Sequence, residues 1–84
     1  MNTRHGYSAA DVSLDPVGSR IVRVYFAGEF RGVCLPAPDT GWRFYLFDNP
    51  AVPSGPRTVV AAGDTPARAV AAYFDPVNPD RGDR

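Results

Sequence analysis

Alternation of apolar and polar positions organises most of this chain. In RIVRVYF (20–26), Val22, Val24 and Phe26 fall on one side and Ile21, Arg23 and Tyr25 on the other, the period of a strand with two unlike faces. AGE follows, with Gly28 free to take positive φ. FRGVCL (30–35) then resumes, placing Phe30 and Cys34 on one side and Arg31, Val33 and Leu35 on the other. These two runs predict a hairpin. PAPDTG breaks the pattern. WRFYLFD (42–48) restores it, with Trp42, Phe44 and Leu46 pointing one way and Arg43, Tyr45 and Phe47 the other. NPAVPSGP is a long turn with three prolines that no central ladder could use. RTVVAA (57–62) reads as a fourth strand.

In GDTPARAVAAYFDP the period changes to that of a helix. Asp64 or Thr65 is placed to cap it, and Pro66 sits where its missing N–H costs nothing. Ala67, Val70, Ala71 and Phe74 make an apolar stripe at helical spacing. Asp75–Pro76 ends the helix, because a residue before proline disfavours helical geometry. So short a helix cannot stand alone and must dock. The sheet face carrying Val22, Val24, Phe44 and Leu46 is the predicted dock.

The expected fold class is therefore α+β: an antiparallel β-meander of three to four strands with one C-terminal α-helix packed on one face. Residues 1–19 are expected to be a flexible N-terminal arm with a short extended piece near 11–14. Residues 20–74 are the single domain, and 75–84, with two prolines and five charges, a disordered C-terminal tail. The 84 residues fit one domain, and 44% hydrophobic content is enough for a core.

Charge and chemistry narrow the function classes. Nine basic residues, all arginine, balance nine acidic ones. A neutral chain is unlike the polybasic binders whose nucleic-acid affinity comes from net positive charge. His5 and Cys34 are single residues of their kinds. They cannot form an intramolecular disulfide or supply a zinc site, and Cys34 falls on the core side by parity. No catalytic residue, metal or cofactor is expected, so the chain reads as a non-enzyme. No apolar run approaches a membrane span, and MNTRHGYSAADVSLD lacks the apolar core of a signal peptide. The expectation is a cytoplasmic protein without membrane contact.

What remains is the outer face of the sheet. Parity puts Arg23, Tyr25, Arg31, Arg43, Tyr45 and Phe47 there, with Arg57 near its edge. Interleaved arginine and aromatic residues suit a protein interface or a nucleic-acid platform. The bland alternative is that the rings pack on arginine stems and the arm covers the rest.

Residues 30–75 also resemble the AP2/ERF DNA-binding domain and its phage and bacterial relatives. The resemblance lies in FRGV (30–33), the Trp-led WRFYLFD, the Arg-led RTVVAA, and DTPARAVAAYFD, which is similar to the family's D-T-x-E-E-A-A-R-A-Y-D helix. It implies three strands and a helix, with DNA read by the outer sheet face. Position by position, Arg31 and Gly32 match contacting residues of the family's first strand, Arg57 matches the arginine opening its third, and Trp42 matches a core aromatic. Other contact positions differ: Cys34 and Pro36 replace basic residues, Tyr45 and Phe47 replace a Glu and an Arg, and Val59 replaces a Trp. The GDT-plus-helix pattern is also similar to HicB-like antitoxin domains. Each lost base contact forgoes about 1–3 kcal/mol of discrimination. The favoured expectation is thus a small protein-binding module, a regulator or inhibitor of the kind mobile genetic elements encode, meeting a protein partner or a second copy through the outer face. The alternative is an AP2-like nucleic-acid binder using Arg31, Gly32, Arg43 and Arg57.

Overall fold

A computed structural model describes residues 8–74. Five strands form one antiparallel sheet in sequence order, β1 (Val12–Pro16), β2 (Val22–Phe26), β3 (Glu29–Ala37), β4 (Gly41–Phe47) and β5 (Arg57–Gly63). One helix, α1 (Pro66–Phe74), follows. The class is α+β, as the periodicities predict, with five strands where three to four are expected. The additional strand comes from the stretch read as an arm. Val12 stands opposite Phe26, Leu14 opposite Val24 and Pro16 opposite Val22. Val12 and Leu14 pack on the core beneath the helix, and that apolar contact fixes β1 to the sheet. A 3-10 turn, Ala9–Asp11, leads into it. The expected tail, 75–84, and the first seven residues of the expected arm lie outside the described residues.

The β2–β3 turn is the two-residue loop Ala27-Gly28, with φ of 52° and 86°. Two positive φ values match the twist of the flanking strands, and Gly28 takes its value without strain. Helix α1 is capped by Thr65, whose hydroxyl oxygen accepts from the Arg68 N–H at 3.1 Å. Of the two expected caps, then, Thr65 closes the first turn. Asp64 instead pairs with Arg68 at 3.6 Å.

The core lies between α1 and one sheet face: Val22, Val24, Phe26, Cys34 and Phe44 from the strands, Ala69, Val70, Tyr73 and Phe74 from the helix. Phe26 is central, its ring centroid 5.3 Å from Phe74, 6.2 Å from Phe44 and 6.3 Å from Tyr73. Trp42 and Leu46 pack at its margin. The buried helix stripe is turned from the expected one. Ala67 and Ala71 are exposed, while Ala69 and Tyr73 are buried. Two contacts account for the rotation. The Tyr73 ring meets Phe44 edge-on at 5.5 Å, adding far more buried area than an alanine. Gly63 lets the helix close on β5: a Cβ there would lie 2.7 Å from the Ala69 backbone nitrogen.

Candidate binding face

The face away from the helix is built by alternation with two interruptions. Val24 stands opposite Gly32 but Tyr25 opposite Phe30, so Arg31 is an extra residue in β3. Phe44 stands opposite Ala61 but Tyr45 opposite Val59, so Val60 is an extra residue in β5. Each bulge exchanges the faces of the residues beyond it. Phe30, expected on the core side with Cys34, therefore lies on the outer face. Arg31, expected on the outer face, lies on the helix-bearing side. Its guanidinium carbon is 5.9 Å from the centre of the core ring Phe26, and it pairs at 3.5 Å with Glu29, which stands opposite Phe26.

Five of the six expected partner-binding residues do share the outer face. Tyr25 and Phe30 are 5.4 Å apart, and Phe30 meets Phe47 edge-on at 4.9 Å. Arg23 lies over Phe30 at 5.7 Å. Phe47 is only 4% exposed and Val33 only 6%, so this face holds a small apolar cluster of its own, with no helix above it among the described residues. Tyr25, Tyr45 and Leu35 are half-buried at its surface. Arg43 grips both oxygens of Asp39 at 3.0 and 3.1 Å. The neighbouring Tyr45 hydroxyl first, and the Asp39 carboxylate second, raise its pKa above the ordinary value. Phe30 belongs to the face against the parity expectation, whereas parity sets Leu35 there although it is not among the expected partner residues. The signal for Phe30 was Gly32, since glycine inside a strand often marks a bulge.

The four residues of the nucleic-acid alternative are not brought together. Arg43 and Arg57 lie on the outer face, Arg31 on the other. Gly32 is buried, and a Cβ there would collide with the Tyr45 carbonyl oxygen and approach Phe44 Cε1 at 2.9 Å. Close packing of β3 on β4 is sufficient reason for that glycine.

The helix-bearing side offers little chemistry. Burial pushes the Cys34 thiol up to about 12, which keeps it protonated and unreactive at neutral pH. Among the described residues no three His, Cys, Asp or Glu side chains converge as metal ligands, and no helix is long and apolar enough to cross a membrane. An apolar groove of about 250 Å³ runs between β1 and α1, lined by Val12, Leu14, Val70 and Phe74 among others. No protein-family model matches the chain, and no curated protein or solved structure matches it significantly.

Proposed function

We propose that this chain is a small protein-binding module of the regulator or inhibitor type, which meets its protein partner with the outer sheet face. The observation that carries this is the second apolar cluster, Tyr25, Phe30, Val33 and Phe47, rimmed by Arg23 and Arg43 on a face that bears no helix among the described residues. Aromatic and arginine side chains in this mixture supply most of the energy of known interface centres. Tyr25 and Tyr45 stand half-exposed, each able to bury a ring while its hydroxyl stays hydrogen-bonded. Phe47 is the floor of this surface; the tyrosines are its contact points.

A photo-crosslinking residue placed at Tyr25 or Tyr45 in the native host tests the reading. A discrete protein adduct is expected from both sites, absent when the same residue replaces Ala71 on the helix and weakened by Arg43→Glu. Adducts equal from all three sites, or none, would reject it. Retention on duplex DNA that falls steeply with salt and is lost in Arg57→Ala would instead favour the AP2-like alternative.

A further inference from the structure

Among the described residues, β1 and β5 are the two edges of the sheet. β1 is a poor template for another strand: Pro16 has no N–H to offer, and Asp15 is charged. β5 contains no proline, its one charge is at its first residue, and Val59 is 47% exposed. The Val60 bulge decides what can pair with it. On the outer face, Arg57 and Val59 share a side with Ala62; on the helix-bearing face, Thr58 shares a side with Ala61 and Gly63. A regular incoming strand can match one half of this edge and must show the wrong face along the other. A strand that breaks alternation at the same point matches both halves.

We infer that the β5 edge pairs with the β5 edge of a second copy of this chain, antiparallel about a two-fold axis, in one register. That register sets Val59 opposite Ala62 of the second copy, Thr58 opposite Gly63 and Val60 opposite Ala61, so every opposed pair shares a face and the two bulges meet at the axis. It also sets Arg57 opposite Asp64, at both ends of the pairing. Shifting by two residues would set Val59, on the outer face, against Val60, on the helix-bearing one, and would leave Arg57 against Ala62 without an acid, so the bulge and the charge select the same register. Both residues are exposed. Among the described residues, Asp64 has only its long contact to Arg68. The result is one sheet continuous across two copies, with both helices on the same side and both outer faces joined into one surface. This pairing uses the edge and does not depend on the outer-face reading.

Sedimentation equilibrium over a wide concentration range, with the full chain, tests it. A concentration-dependent dimer is expected. Arg57→Glu and Asp64→Arg should each weaken it about tenfold, two symmetry-related contacts turning repulsive. The double variant should recover wild-type association, a restoration that mere misfolding cannot give. A chain carrying both Val59→Cys and Ala62→Cys should become a covalent dimer on mild oxidation, while either change alone should not; Cys34 is buried and stays out of the reaction. A chain monomeric at every concentration overturns the inference. So does a dimer indifferent to the charge variants but dissolved by Tyr25→Ser and Tyr45→Ser, which would move self-association to the outer face.

Discussion

The two faces of this sheet solve one problem in different ways. Val33 and Cys34 are neighbours in β3, point to opposite faces, and are both buried. Cys34 is buried by a helix: α1 brings Ala69, Val70, Tyr73 and Phe74 down onto Phe26 and Phe44. Val33 lies on a face whose apolar cluster comes from the strands themselves, Phe30 reaching from Tyr25 across to Phe47 with Arg23 laid over it. The first arrangement is a core, where loss of one side chain leaves a cavity. The second is a shallow cluster whose upper layer can rearrange or be covered by another molecule. Burial alone therefore does not distinguish core from interface; what lies above the buried group does.

The largest effect should follow from breaking the helix side. Val70 is 3% exposed between α1 and the sheet. Val70→Asp places a carboxylate there, a cost on the order of 5 kcal/mol, comparable with the whole stability of a small domain. Circular dichroism should show an unfolded chain at 25 °C. A folded Val70→Asp variant would mean that α1 does not cover this face.

Next comes a matched pair of truncations. Phe44→Ala, in the helix-covered core, should cost about 3–5 kcal/mol. Phe47→Ala, nearly as buried but on the open face, should cost roughly 2 kcal/mol, because Phe30 can settle into the space. Urea denaturation of both variants gives the comparison directly. Equal losses would mean that the outer cluster is as constrained as the core.

Cys34 gives a pH-dependent version of the same contrast. Its folded pKa is raised by burial from 9.0 to about 12. The folded chain therefore holds the thiol proton where the unfolded chain has released it. The stability linked to Cys34 is complete below about pH 9 and falls as pH rises towards 12. Denaturation midpoints across that range should fall more steeply for the wild type than for Cys34→Val, and a parallel decline would remove the linkage. Carboxymethylation at neutral pH should be slow for the same reason.

Much of this was legible in the residues, and the gaps have identifiable causes. Strict alternation in 20–26 and 42–48 locates β2 and β4 with their faces, and Thr65-Pro66 locates the start of α1. Alternation cannot announce its own interruption, so Phe30 and Arg31 exchange faces at a bulge whose sequence sign is Gly32 alone. β1 falls inside the expected arm because residues 1–19 mix polar, small, glycine and proline residues; its place depends on Val12 and Leu14 meeting the core, which is a tertiary effect. The helix stripe turns towards Tyr73 because Gly63 admits close approach on one side, a fact about two elements together. Most of the outer face was legible for the converse reason: Arg43, Tyr45 and Phe47 lie on one uninterrupted run of β4.

The smallest effects should separate the two arginines that the bulge divides. Arg23 lies over Phe30 on the open face and Arg31 beside Phe26 on the covered one, at nearly equal distances of 5.7 and 5.9 Å. An exposed cation over a ring contributes about 0.5–1 kcal/mol, and a desolvated one about 2. The Arg31 side chain is 19% exposed and pairs with Glu29, whereas Arg23 is exposed. Arg31→Ala should therefore cost about 2 kcal/mol and Arg23→Ala no more than about 0.5 kcal/mol. In crosslinking from Tyr25 the ranking should invert: Arg23→Ala should weaken partner capture, because Arg23 rims that surface, and Arg31→Ala should leave it unchanged in protein that remains folded. If Arg31 matters to capture as much as Arg23, the partner reaches round the sheet to its helix-bearing side, and the division of labour between the faces fails.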